Sequence, residues 1–379
     1  MSRQSALDTD ISRRSFLSLT VAGLTGCGGG LDIGLQTAMR PGTGGTGLFV
    51  QGSISGFGSV IVNGIRFDDT SATVQLDGVH ASAQDLRLGM VADVQGLRGV
   101  DLTLGVANVI EVWSIAQGVV SQVQGGLFTV AGMLVQADGA TVFDGIGSVA
   151  ALTNGMRVAV WGLQAGADAS GWTATRVALV SAPSMVSTGI VTAARTLNGF
   201  ALVGQNAASL STGQLVRVQG VSSGSSLTVD SFRLLGLQNL ASYQGDCEME
   251  GLVTALLSGS RFMLGNIEVD ASSASLAAAY KALSIGQRIE VQGTWRGKVL
   301  SAVSLGAESE QKLDEAEIEA KIEQFTSLSN FVVRGQRCNA SAATISKGVV
   351  GDLKVGVKVK LKGTKAGDVL MVTTLEFSS

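Results

Sequence analysis

The chain has one histidine, two prolines, three cysteines, two Tyr and four Trp among 379 residues. Each shortage excludes something. His80 has no His or Cys neighbour at ligand spacing, so it reads as a solvated side chain in a polar stretch and no metal centre is expected. No nucleophile elbow, phosphate-binding glycine loop or helical His pair occurs, and the expectation is a protein that is not an enzyme and carries no cofactor. Charged residues are only 15% and the net charge is −3, with no basic stripe for a polyanion, so no nucleic-acid partner is expected. No apolar run reaches the roughly 18 residues of a membrane helix. Tyr and Trp are too scarce for the aromatic girdles of a transmembrane β-barrel.

What is abundant is glycine, 51 residues, set between short runs of Val, Leu, Ala and Ile. That composition suits many short strands joined by tight turns. One phrase recurs: Asp85-Leu-Arg-Leu-Gly-Met-Val-Ala-Asp-Val-Gln-Gly96. Copies begin at Ala151, Ser209, Ala282 and Asp352, roughly 58 to 73 residues apart, the signature of a tandem array. Each is a polar turn, a glycine, an alternating strand and a second glycine that should stop it.

Ahead of each phrase lies a hairpin signal. Ser59 to Phe67 holds two alternating strands around Asn63-Gly64, a two-residue turn that needs positive φ. Matching glycines are Gly132, Gly204, Gly265 and Gly335, with Phe128, Phe200, Phe262 and Phe331 ahead of them as core residues. The third copy runs almost straight from its hairpin to Ser209 and reads as truncated. Residues 308 to 324 are helix formers, yet Ile318, Ala320 and Ile322 alternate. The repeat frame therefore makes 307–316 a linker and 317–325 a strand. Three strands, a short helical link and two strands is the order of an OB-fold. The expected fold is all-β: five small OB-like five-stranded barrels over 49–114, 115–181, 186–236 (short), 247–306 and 317–379.

The first residues supply an address. Ser12-Arg13-Arg14-Ser15-Phe16-Leu17 resembles the twin-arginine export signal, and Leu24-Thr-Gly-Cys27 resembles a lipobox. The resemblance implies a signal peptide over 1–26, export through Arg13 and Arg14, and lipidation of Cys27. Gly28 in place of aspartate favours the outer membrane. Residues 27–48 read as a Gly-rich tether; some twenty flexible residues span roughly 25 Å. The repeated Gly-x-Val strand, Phe-x-Val-x-Gly hairpin and Leu-x-x-Gly-x-x-Val-x-Val-x-Gly strand resemble the DUF5666 family over roughly residues 50 to 377. These are domains of unknown function in bacterial envelope proteins. The resemblance implies a fold and a location, and no catalytic residue.

Four further expectations concern side chains. Asp68 and Asp69, Asp138, Asp270 and Asn339 follow their hairpins and read as Asx turns rather than cation ligands. Trp161 and Trp172 flank one hairpin loop and are the stacking candidates for a sugar. Lys354, Lys358, Lys360 and Lys362 read as a solvated basic face. Cys247 and Cys338 would be free to pair in an oxidising compartment. The function expected is that of a membrane-anchored envelope lipoprotein, a binding or scaffold protein for an unknown envelope protein or glycan. The alternative is a carbohydrate- or polymer-binding module.

Overall fold

In the computed structural model the described residues are 47–166, 169–235, 240, 243–307 and 314–378. The signal at 1–26, with Arg13 and Arg14, and Cys27 with nearly all of the tether lie outside them, as do residues 308–313 of the expected linker. Among the described residues the protein is mostly strand, with one short α-helix, Ala277–Lys281.

The first barrel uses five strands: Leu48–Phe57, Val60–Val62, Ile65–Asp68, Val91–Arg98 and Leu104–Val112. The first pairs antiparallel with the second and fourth, the second with the third, and the fourth with the fifth. A parallel ladder between third and fifth closes the circuit. The same closed circuit forms over 116–179, 245–307 and 315–377. Over 185–234 the order is kept, but no ladder joins the first strand to the second. That open seam lies against the preceding barrel, where Ser187 Oγ donates to the Ala131 carbonyl and Thr188 Oγ1 to that of Ile115. One continuous core accordingly runs through both barrels.

The recurring phrase now has a physical explanation. Its leucine packs into the core: Leu86, Leu152, Leu210 and Leu353 are buried and Leu283 is partly buried. Its first glycine takes positive φ in every copy, from 76° at Gly89 to 92° at Gly155. The N–H of that glycine donates back to the opening strand in each barrel, for example Gly89 to Ile54 and Gly286 to Val253. Contrary to the expectation from sequence, the second glycine does not stop the strand. The strand runs on, to Arg98 in the first barrel. A register shift falls immediately before Gly96, Gly162, Gly220, Gly293 and Gly363. The extra residue is on the facing last strand, and the bulge bends it there, which closing so small a barrel demands. A Cβ at any of the five would run into a backbone carbonyl of the last strand.

Three local readings change or sharpen. In the third barrel the hairpin turn is Asn198-Gly199, both at positive φ, not Gly204. Phe200 therefore sits on the later strand and is only half-buried, whereas Phe128, Phe262 and Phe331 are core. The short part is the strand Thr196–Leu197, and a 3₁₀ turn, Asn206–Ser209, still follows. Glu315–Ser327 is a strand despite its helix-forming composition. Its glutamates face the basic strand: Lys358 bonds Glu319 at 2.9 Å, and Lys360 and Lys362 bond Glu317 at 2.9 and 3.2 Å. Three of the four lysines expected to be solvated are thus cross-strand ion-pair partners.

The barrels are joined by more than linkers. Leu48–Gln51 of the first opening strand pairs in parallel with 246–249, the opening strand of the fourth barrel. Further along the same strand, Gly56 and Phe57 pair with Glu317 and Ile318, opening the fifth. First and fifth barrels share one core, while the fourth has its own.

Candidate functional site

Packing of the first four barrels leaves a cavity of about 150 Å³ between them. Its wall is built outward from Trp113, which follows the last strand of the first barrel and starts the connector to the second. Ser114, the next residue, is fully buried. Its N–H and hydroxyl donate to the two Asp77 carboxylate oxygens at 2.7 and 2.8 Å.

The third barrel reaches across to this connector. Arg217 donates from Nε to the Ser114 carbonyl at 2.7 Å and from Nη2 to Ser114 Oγ at 3.0 Å, and pairs with Asp77 at 2.8 Å. Burial pushes its pKa down, and the Asp77 charge opposes that. Arg233 pairs through Nη2 with Glu111 at 3.2 Å and Asp93 at 3.7 Å. Both guanidinium groups lie over Trp113, Arg233 at 4.3 Å from the ring centroid and Arg217 at 5.2 Å. Asp93 is buried; desolvation pushes its pKa up, with the Gln51 amide donating at 2.7 Å and the Arg233 charge opposing. From the fourth barrel comes Glu250, which accepts from the Ser53 N–H at 2.7 Å and pairs with Arg288.

Two side chains bordering the cavity carry N–H groups that are themselves buried. The indole N–H groups of Trp113 and Trp172 have no acceptor among the described residues. The Asn266 side-chain amide, also in the wall, makes no hydrogen bond among the described residues, where its neighbours Gln164 and Thr188 do.

Trp161 and Trp172 do not form the exposed platform expected of them. They are 8% and 7% exposed and belong to two different cores. The barrels pack side by side, so faces that would be solvent-exposed on a single barrel are covered. Trp161 is sealed between the second and first barrels, with Arg176 stacked over it at 6.0 Å and bonded to the Leu88 carbonyl. Only Trp172 borders the cavity.

The expected Cys247–Cys338 bridge is not formed. Both thiols are free and buried, one in the fourth barrel's core and the other in that of the first and fifth. They are core residues after all: Cys338 faces Phe331 as Val269 faces Phe262 and Val135 faces Phe128. Burial pushes both thiols up, Cys338 to about 12. His80 is exposed on a short strand, Val79–Ala81. Asp68, Asp138, Asp270 and Asn339 each accept from the N–H two residues on, at 2.9 to 3.1 Å, which is the Asx turn. Among the described residues no three His, Cys, Asp or Glu side chains converge as metal ligands.

Sequence reasoning missed Asp93, Arg217, Arg233 and Asn266. One signal was present. The ninth phrase position differs in every copy, as Asp93, Ala159, Arg217, Glu290 and Lys360. It points out of its own barrel, and two of these residues wall the cavity.

Two segments match a known family. Residues 117–178 and 319–372 match the family described as Domain of unknown function (DUF5666). These DUF5666 segments coincide with the second barrel and most of the fifth. No curated protein matches the chain.

Proposed function

We propose that the chain is a lipid-anchored, non-catalytic binding protein of the cell envelope, an array of five OB-like modules of which the first four pack around one ligand chamber. The strand order one-two-three-five-four with a parallel third–fifth pair is that of an OB-fold, and the third module shares it apart from one ladder. The DUF5666 character extends in this reading from the two matched segments to the other three modules through their common phrase.

The observation that carries the reading is the chamber itself. It lies between modules, and its charged groups are already engaged across the module seams. Groups held this way orient a ligand; none is left poised beside a reacting atom. In this reading the anchor rests on Arg13-Arg14 and on Cys27 ahead of Gly28, with a Gly-rich tether and the outer membrane favoured.

Two measurements test this. Mass spectrometry of the mature chain should find diacylated Cys27 at the N-terminus, and Cys27→Ala should abolish membrane association. Native mass spectrometry of the full chain released from its own membranes should show one bound small molecule per chain, lost on unfolding. A mature N-terminus elsewhere refutes the anchor. A chain that carries nothing, and gains nothing when incubated with envelope extract, refutes the chamber.

A further inference from the structure

One hairpin of the first barrel, and the end of the molecule from which it projects, point to a membrane contact made by the protein itself. We infer that the turn between Val91–Arg98 and Leu104–Val112 dips into the surface of a lipid bilayer. The inference rests on the lipid-anchored reading above, which brings a bilayer near.

The hairpin differs from its counterparts. Four apolar side chains fall within eight residues and all are exposed: Val100 at 82%, Leu102 at 65%, Leu97 at 40% and Leu104 at 39%. The same turn reads Val221-Ser-Ser-Gly-Ser-Ser226 in the third barrel and Thr364-Lys-Ala-Gly-Asp368 in the fifth. Closing a barrel therefore does not require apolar residues here. Nor is the turn loose. The Gly99 N–H donates to the Leu104 carbonyl at 2.8 Å and the Leu104 N–H to that of Asp101 at 3.0 Å. The Asp101 carboxylate accepts from the Thr103 N–H and hydroxyl at 2.9 and 2.7 Å. Apolar side chains held out on a tied turn gain only when something apolar takes them from water.

Position identifies that something. Leu48 pairs with Gly96 on one side and Asp246 on the other, and Asp246 pairs in turn with Thr294. Beyond this row, on the side where Gly47 leads back into the tether, stand two turns: that of the first barrel and Arg296-Gly-Lys298 of the fourth. The tether reaches Cys27 in some twenty residues, roughly 25 Å. With Cys27 diacylated, the bilayer is the apolar phase held beside this end at high local concentration.

Charge does not drive the contact. The two turns carry Arg98, Asp101, Arg296 and Lys298; Arg98 pairs with the buried Glu248, and exposed Asp246 stands in the row behind. Positive and negative groups balance, three of each. Insertion of the apolar residues, rather than attraction to anionic headgroups, accordingly holds the turn. Asp101, between Val100 and Leu102, sets the depth. A charge is costly in hydrocarbon, so the turn stops at the boundary of headgroups and acyl chains.

The test places an environment-sensitive fluorophore on the full chain at Val100→Cys, with Val79→Cys as the control. Cys247 and Cys338 are buried and stay unlabelled. Val79 is 69% exposed and follows the strand Thr73–Leu76, which runs beside the Val112 end of the last strand. It therefore marks the opposite end of the same barrel. On phosphatidylcholine vesicles the lipidated chain should show the probe at 100, and not that at 79, shifted to the blue and quenched by lipid-borne nitroxide. The Cys27→Ala chain separates the hairpin from the anchor. It should still partition weakly onto these vesicles, and Val100→Ser with Leu102→Ser should weaken partition about tenfold with an unchanged melting temperature. Probes at 100 and 79 that respond alike overturn the inference. So does a Cys27→Ala chain that does not partition, or one that the double serine variant leaves unchanged. Partition that needs anionic lipid and disappears in high salt overturns it as well. A blue shift at 100 that grows with protein concentration in the absence of vesicles identifies a second copy as the occupant and overturns it too. Any of these results with Cys27 diacylated leaves the anchor standing. A mature chain without lipid refutes the anchor alone, and vesicle partition then decides the hairpin.

Discussion

The bulge glycine is the feature most open to a decisive perturbation. In the last barrel Gly363 pairs with Val372 and Lys362 with Thr374, so Thr373 is the extra residue on the final strand. A Cβ on Gly363 would sit 2.8 Å from both the Met371 carbonyl carbon and Val372 Cα, with the Met371 carbonyl oxygen closer still. These are backbone atoms held in a ladder, so they cannot swing aside as a side chain would. Overpacking a core costs about 1–3 kcal/mol, and the rigid neighbours place Gly363→Ala at the upper end, about 3 kcal/mol. The same barrel supplies a control. Gly351 has no atom within 4 Å of a built Cβ and its φ is not positive. Gly351→Ala should stabilise by about 0.5 kcal/mol through the unfolded chain. Hydrogen exchange read on peptides from Lys358 to Phe377 confines the measurement to this barrel. A loss of about 3 kcal/mol accelerates exchange there roughly a hundredfold. Equal exchange in the two variants would show that the barrel closes without the bulge and would refute the account of the repeated glycine.

Asn63 and Gly64 have φ of 50° and 74°, and a Cβ on Gly64 meets nothing, so the cost of Gly64→Val lies in the backbone alone. It should exceed about 1 kcal/mol in urea unfolding; an unchanged midpoint would contradict the turn. Burial pushes Glu317 up, but hydrogen bonds from Lys360, Arg66 and Lys362 together outweigh it and hold the carboxyl at about 2. A depressed carboxyl stabilises the fold above its unfolded pKa, near 4.5, and that contribution disappears as pH falls towards 2. Glu317→Gln should remove about 2 kcal/mol of this acid-sensitive stability, seen as a flatter unfolding profile over that window. Cys338→Val should unfold within about 0.5 kcal/mol of wild type, because Val135 and Val269 fill the matching place, and reductant should not shift melting. A reductant-dependent melting temperature would mean that the thiols do pair.

The parts of the fold that were legible are those with a local cause. The turn glycines, the buried leucine of the phrase and the Asx turns each repeat a constraint met within a few residues. Glu315–Ser327 was legible only through the repeat frame, because its helix propensity is overridden by ladders on both sides. The third hairpin was misplaced because Phe200-Ala-Leu-Val-Gly imitates the Phe-x-Val-x-Gly signal. The true turn, Asn198-Gly199, follows a strand of two residues, too short to show a period. The chamber was illegible for another reason. Trp113 sits in a connector, and Asp93, Arg217 and Asn266 come from three barrels, facing away from the cores whose pattern a sequence displays. Cys247 and Cys338 looked exceptional because no other copy has sulfur there, while the structure asks only for an apolar side chain of that size.

The opening strand Leu48–Phe57 has a consequence for how the chain is made and how it could change. It meets Cys247 and Ile318 across roughly 200 and 260 residues of sequence. In a solenoid each repeat touches only its neighbours, and units can be added or lost one at a time. Here the strand Leu48–Phe57 keeps part of its edge unpaired until the barrel over 315–377 has appeared. A bare strand edge is a template for wrong partners, so the vulnerable interval lasts through the synthesis of roughly 260 further residues. Deleting the last barrel should not yield a shorter, equally sound array. It would leave Gly56 and Phe57 open on the first, and the number of repeats is therefore fixed by the strand that begins them.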